Sequence, residues 1–178
     1  MDLYLEDFKE MEDLEKEYYS SEFITPYTES YMWYKKAPHS IYVEKINGEI
    51  AGFINMFPVN REVFNSIKKG EFNDAALRFS DIISIDNVKN RDNMFLSCIV
   101  VNKKYRGIGI ALKMLTSSID IYRSVNSKIE NIITDNVTKD GENFSIKIGL
   151  KKEVESNHNS QIYIGNYLEF VDNVNKIR

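Results

Sequence analysis

MFLSCIVVNKKYRGIGIALKML, residues Met94 to Leu115, joins an apolar run to a basic turn with two glycines and then to a helical pattern. Met94 to Val101 has the length and apolar content of a buried strand, and Ile108 to Ser124 carries apolar residues at helical spacing. A helix that starts straight after such a turn offers backbone N–H groups with no intrahelical partner, and its macrodipole adds positive potential there. Gly107 and Gly109 lack a Cβ, so bulky anionic oxygens can approach those amides closely. Lys103, Lys104 and Arg106 surround the turn with charge, and Arg106 can donate in a bidentate fork. Each such charge is worth roughly 0.3–1 kcal/mol when exposed and up to ~2 when partly buried, so several must act together. The stretch has the build of a pyrophosphate grip.

Three readings of the turn compete. A dinucleotide fingerprint requires GxGxxG after an N-terminal first strand, but Gly107-Ile108-Gly109-Ile110-Ala111-Leu112 ends on leucine and lies far along the chain. A Walker loop requires GxxxxGK[ST], which is absent. The third reading is a basic strand-to-helix turn with no ligand.

The segment resembles motif A of the GNAT superfamily of N-acetyltransferases, written [QR]xxGx[GA] after a strand that ends in valine. Arg106, Gly109 and Ala111 fill the three defined positions, and Val101 lies five residues before Arg106. The resemblance implies a central strand that splays from its neighbour, so that its free backbone groups pair with pantetheine. It implies that Ile99, Val100 and Val101 meet the pantetheine arm of acetyl-CoA, and that Arg106, Gly107, Ile108, Gly109, Ile110 and Ala111 meet the pyrophosphate. Asn136, just beyond the next strand, joins the same cofactor-binding set.

At 178 residues the chain reads as one domain, 1–178, with a substantial core. Its composition, 43% hydrophobic and 28% charged, is that of an ordinary globular protein rather than a disordered one. No run of 18 apolar residues supports a membrane span, and the acidic, amphipathic N-terminus is unlike a signal peptide. A cytoplasmic protein with no membrane partner is the expectation. A net charge of −4 argues against nucleic-acid binding and tolerates a cationic amine. The lone Cys98 excludes internal disulfides, and His39 and His158 stand in loops without metal-ligand spacing, so no metal is expected.

Outward from the central segment, apolar spacing predicts a helix over Leu3 to Tyr19 and a second over Tyr27 to Lys36, closed by Pro38. Ser40 to Ile46 and Glu49 to Phe57 flank Asn47-Gly48, the strongest short-range hairpin signal, and correspond to the second and third strands of the family's sheet. Pro58 is expected to end the hairpin, and Arg61 to Lys69 to form a helix closed by Gly70. Glu71 to Asp92 is less regular, with a short strand at Asp81 to Ile85 and a polar loop at Asn87 to Asn93. Beyond the central segment come a strand at Ile129 to Thr134, a helix at Lys139 to Ile148, a strand at Leu150 to Glu155, a turn at Ser156 to Ser160 and a last strand at Gln161 to Phe170. The fold class is α/β. By resemblance it is a mixed, mostly antiparallel central sheet flanked by helices, with a splayed central strand that binds acyl-CoA.

The resemblance implies acetyl transfer from acetyl-CoA to a primary amine in one ternary complex, with no covalent enzyme intermediate. The acceptor is a small-molecule amine or a protein amine, and homodimers are common in the family. Such chemistry needs a neutral nucleophile, a donor for the developing oxyanion and a proton for the thiolate. A backbone N–H near Val101 is expected to polarise the thioester. Family members often place a tyrosine proton donor four residues before a glycine; here Ser145 precedes Gly149, with Asn143, Tyr163 and Tyr167 as fallback donors. For the base, Asp81, Asp86 and Glu44 are the candidates. Period-two alternation groups Phe95, Ser97, Ile99 and Val101 on one face and Leu96, Cys98 and Val100 on the other, so Cys98 reads as a core thiol. Tyr27, Tyr31, Trp33 and Tyr34 pack the core or line the acceptor site, to which the N-terminal helices, 1–39, contribute in the family. The alternative is a catalytically silent GNAT-fold domain that binds CoA or acyl-CoA as a sensor or interaction module.

Overall fold

The computed structural model describes residues 2–73 and 76–177; residues 74 and 75 of the irregular stretch after Gly70 lie outside that range, as do both terminal residues. Among the described residues six strands build one sheet: β1 (Ile41–Ile46), β2 (Glu49–Val59), β3 (Asp92–Val101), β4 (Ile129–Asn136), β5 (Lys151–Glu155) and β6 (Gln161–Asn166). Their order is β1-β2-β3-β4-β6-β5, and only β3 and β4 run parallel. Among the described residues six α-helices flank the sheet: α1 (Leu5–Glu15), α2 (Tyr27–Lys36), α3 (Arg61–Lys68), α4 (Ile110–Ile121), α5 (Lys139–Lys147) and α6 (Tyr167–Lys176). Among the described residues no strand precedes α1, so the Asn47-Gly48 hairpin supplies the sheet's first two strands.

Each face of the sheet buries its own layer. Ile54, Met56, Met94, Leu96 and Ile132 pack with Met114 and Leu115 of α4 and Phe170 and Val174 of α6. On the other face Phe57, Phe95 and Ile133 meet Trp33 of α2 and Val63, Phe64 and Ile67 of α3. Farther along that face, Phe53 and Val100 pack against Phe8, Met11 and Leu14 of α1. Phe95 is fully buried and edge-on to Phe57 at 5.8 Å and Phe72 at 6.5 Å. Burying a side chain of that size contributes roughly 1.5–3 kcal/mol.

Three features of the sheet depart from the sequence reading. β2 runs through Pro58, which sits opposite Met94, instead of ending there. β1 reaches only to Asn55 of β2, and the Pro58 carbonyl accepts from Ile83 N on that vacated side, so the missing proline N–H costs the β2–β3 ladder nothing. The strand expected at Asp81 to Ile85 is a single Val59–Ile82 bridge followed by a 3-10 turn at Ile85–Asn87, and the polar loop ends early, because β3 starts at Asp92. The last strand stops at Asn166, whose side chain accepts from Leu168 N and Glu169 N and starts α6; Tyr167 to Phe170 is therefore helix. α1 and α4 are shorter than their apolar spacing suggests, and a 3-10 stretch, Arg123–Lys128, follows α4.

β3 and β4 part company midway. Their pairing runs from Asp92–Ile129 to Leu96–Thr134, after which Ser97 to Val101 keep only β2 as a strand neighbour, while Asp135 and Asn136 stay on β6. At the fork β3 carries a bulge: Asn55 opposes Cys98 and Met56 opposes Leu96, leaving Ser97 as the extra residue. The bulge reverses the alternation. Ile99 and Val101 therefore share the α4 face with Leu96, and Val100 shares the opposite face with Phe95, which corrects the grouping expected from period two.

Candidate active site

The wedge between β3 and β4 opens into a cleft of about 680 Å³ that runs from the N-terminal helices to the turn between β5 and β6. One wall is the open edge of β3. Ile99, Val100 and Val101 all line it, and Val100 is buried whereas Ile99 and Val101 are half-buried.

At one end stands the turn before α4. Gly107 and Gly109 hold φ of +79° and +84°, left-handed values that a residue with a Cβ rarely adopts, and nothing lies within 4 Å of where either Cβ would be. Gly109 is the N-cap of α4 and offers no side chain to the first-turn amides. They are left as donors toward the cleft, and Gly107, Gly109, Ile110 and Ala111 line it; Ile108 is not among the lining residues and is strongly exposed.

The three cations of the turn separate. Lys103 pairs with Glu17 at 3.5 Å and Lys104 with Glu49 at 2.5 Å, while Arg106 lines the cleft. Its Nε donates to the Val101 carbonyl at 3.3 Å, its Nη1 stands 4.0 Å from Asp140, and its guanidinium lies 4.7 Å from the centre of the Tyr18 ring. Arg106 therefore bridges the open strand, the turn that follows α1, and α5.

Asn136 and Ser145 face each other on β4 and α5. Ser145 Oγ sits 3.0 Å from Asn136 Nδ2 and 3.2 Å from its Oδ1, and the serine is 2% exposed. Both line the cleft, with the serine hydroxyl engaged by the amide. The fallback tyrosines turn to other partners: Tyr163 donates to Glu142 and Tyr167 to Asn126. Burial pushes both phenols up.

Asp81 is not among the lining residues. Its carboxylate accepts from Asn60 Nδ2 and Arg78 N, where it ties the start of α3 to the following loop. Glu44 pairs with Lys113, and Asp86 is an exposed residue of a 3-10 turn. Of the N-terminal aromatics, Tyr31 and Tyr34 pack on Phe8 at 5.4 and 5.5 Å, whereas Tyr27 and Trp33 line the cleft. Cys98 is half-buried rather than core, lines the cleft, and has its Sγ 3.5 Å from Glu15 Oε1; the bulge at Ser97 turned it there.

Asp135 is the residue the sequence reading passed over. It is the first residue of β4 beyond the fork, its Oδ1 is buried with no hydrogen-bond partner, and it lines the cleft near His158. Burial pushes its carboxyl up, with Ser160 and His158 acting in the opposite sense. Its sequence neighbours gave a weak signal, an acid at the end of an apolar strand. Among the described residues no group of three or more His, Cys, Asp or Glu side chains is placed to hold a metal ion.

The model of the Acetyltransferase (GNAT) family matches residues 8–144. No curated protein matches the sequence. Among solved structures, the chain is similar to the GphF GNAT-like decarboxylase in complex with isobutyryl-CoA, at 12% identity over 93% of this chain and 97% of that one, with a TM-score of 0.69. It is also similar to Naa50 of Arabidopsis thaliana in complex with the bisubstrate analogue CoA-Ac-MVNAL (12% identity, 93% and 96% covered, TM-score 0.59). PH1933 from Pyrococcus horikoshii OT3 is a third (19%, 93% and 94%, 0.60). At these identities the likeness is one of fold.

Proposed function

The chain belongs to the GNAT acetyltransferase family, and from that premise we propose that it transfers the acetyl group of acetyl-CoA to a primary amine, directly and within a ternary complex. One observation carries the reading: β3 leaves β4 after Leu96–Thr134, and its open edge leads straight into the left-handed Gly107–Gly109 turn at the start of α4. A pantetheine arm adds to an open strand edge by hydrogen bonds of its two amides, as a peptide strand would. The pyrophosphate then falls on the uncapped amides of α4, with Arg106 at its side.

With the cofactor so held, the thioester lies near the fork. A backbone N–H on the open edge of β3 is placed to polarise its carbonyl, and holding amine and thioester together supplies much of the rate. The amine's lone pair forms the C–N bond, the C–S bond breaks, and the thiolate leaves with a proton that the nitrogen gives up. Ser145 is a poor acid for that last step and is already engaged with Asn136.

That engagement supports a second reading, a domain that binds acyl-CoA without turning it over. Release of free CoA from acetyl-CoA, followed across polyamines, amino acids, aminoglycosides and peptides with free amines, separates the two. Acceptor-dependent release establishes the transferase; CoA binding without release by any acceptor favours the silent domain. A chain with no such ligand shows neither release nor a thermal shift with CoA.

A further inference from the structure

Asp135 stands at the apex of the wedge. Leu96–Thr134 is the last β3–β4 pair, so Asp135 is the β4 residue that meets the opening first, across from the bulged Ser97. Its direction follows from its neighbours: Ile133 packs with α2 and α3, Ile132 packs with α4 and α6, and Asn136 reaches Ser145 of α5. Alternation therefore sends the Asp135 carboxylate to the α2–α3 side, opposite the helix that begins at Gly109. A thioester arriving along β3 is reached from that opposite side. There the cleft is lined by Trp33, Phe72, Asn73 and His158.

The other acids of the cleft have work to do. Glu12 pairs with Lys16 and accepts from Tyr27 N, Glu15 lies against Cys98, and Asp140 stands by Arg106. Asp135 faces Ser160 and His158, yet one of its two oxygens, Oδ1, is buried with no hydrogen-bond partner. An acceptor oxygen in that condition is a standing cost to the fold, and a cationic donor that enters the cleft relieves it. Trp33 and Phe72, which line the same cleft, suit the same visitor, since aromatic faces attract cations and shelter their hydrocarbon.

We propose that Asp135 is the seat of the acceptor, which binds as an ammonium ion, and that it takes the proton that frees the nitrogen lone pair. The inference rests on the acyl-CoA reading above. The atoms balance as follows: the ammonium gives one proton to the Asp135 carboxylate, the neutral nitrogen forms a bond to the thioester carbon, and the C–S bond breaks. A second proton passes from that nitrogen to the thiolate, the third stays on the amide, and Asp135 returns its proton to solvent.

The test needs no knowledge of the natural acceptor. Two CoA derivatives are compared by calorimetric titration: CoA alkylated on sulfur with a chain of two carbons, a secondary ammonium and a propyl group, and its S-hexyl isostere with a methylene in place of nitrogen. Binding of the ammonium derivative to the natural protein is expected to be at least tenfold tighter than that of S-hexyl-CoA. In Asp135→Asn and Asp135→Ser the preference is expected to shrink to within twofold, with the affinity for CoA itself unchanged in at least one of the two. A preference that persists in a variant still binding CoA overturns the proposal, as does the lack of one in the natural protein. If CoA and both derivatives fail to bind the natural protein, it is the acyl-CoA reading that falls, and the role of Asp135 falls with it.

Discussion

Gly109 combines a left-handed φ with open space where a Cβ would go, so conformation and not crowding requires the glycine. In Gly109→Glu the backbone strain costs about 1 kcal/mol, while the new carboxylate lies where phosphate oxygens are expected. The variant is expected to fold and to bind CoA at least about tenfold more weakly by calorimetric titration. Arg106→Ala removes a single exposed donor and is expected to cost about fivefold in the same titration, the equivalent of about 1 kcal/mol. Equal affinity in both variants would remove the turn from the cofactor site.

Asp135 makes the stability of the fold depend on pH. Its carboxyl is pushed up by burial, so between the unfolded value of about 3.9 and its higher folded value the native state holds more protons than the unfolded chain. Stability from this group therefore falls as pH rises through that window. Asp135→Asn is expected to melt at a higher temperature than the natural protein at pH 7, with the gap closing toward pH 4; a lower melting temperature at pH 7 would show the carboxylate to be a stabilising partner instead. The glycines and Arg106 were legible because their chemistry is local to six residues. Asp135 was not, since the groups that face its carboxylate, Ser160 and His158, are remote in sequence and come alongside β4 only through the pairing of β6. Asp81 stood out as an acid upstream of the central strand, yet it ties a loop to α3.

At the scale of elements, the strand, turn and helix around Arg106 and the Asn47-Gly48 hairpin follow from period and turn chemistry alone. The bulge at Ser97 does not, because it is a property of the β2–β3 register and has no letter of its own. It inverts which side chains share a face, and so moves Cys98 from the core to the cleft. The start of α6 was obscured by the apolar alternation of Gln161 to Asn166, although Asn166 followed three residues later by Glu169 is a helix-start signal. Asn166→Ala removes the two side-chain bonds at 3.0 and 3.1 Å that cap α6. It is expected to cost about 1 kcal/mol, or roughly 2–4 °C in thermal unfolding, without changing CoA affinity. An unchanged melting temperature would show that the packing of Phe170 and Val174 alone fixes that helix.

In the molecule as a whole, the sheet consists of two halves joined only as far as Leu96 and Thr134. The β1–β2–β3 half carries the open edge, and the β4–β6–β5 half carries Asp135 and the turn with His158. α1 and α2 roof the opening on one face and α4 supports it on the other. A layout of this kind leaves a strand edge without a second strand neighbour inside a protein, a liability unless something regularly fills it. A crystal structure with acetyl-CoA bound measures the filling directly. The pantetheine amides are expected at hydrogen-bond distance, about 2.9 Å, from backbone groups of Ser97 to Val101, with the pyrophosphate over Gly107 to Ala111. Acetyl-CoA bound elsewhere, with no contact to that strand edge, would contradict the assignment of the wedge as the cofactor site.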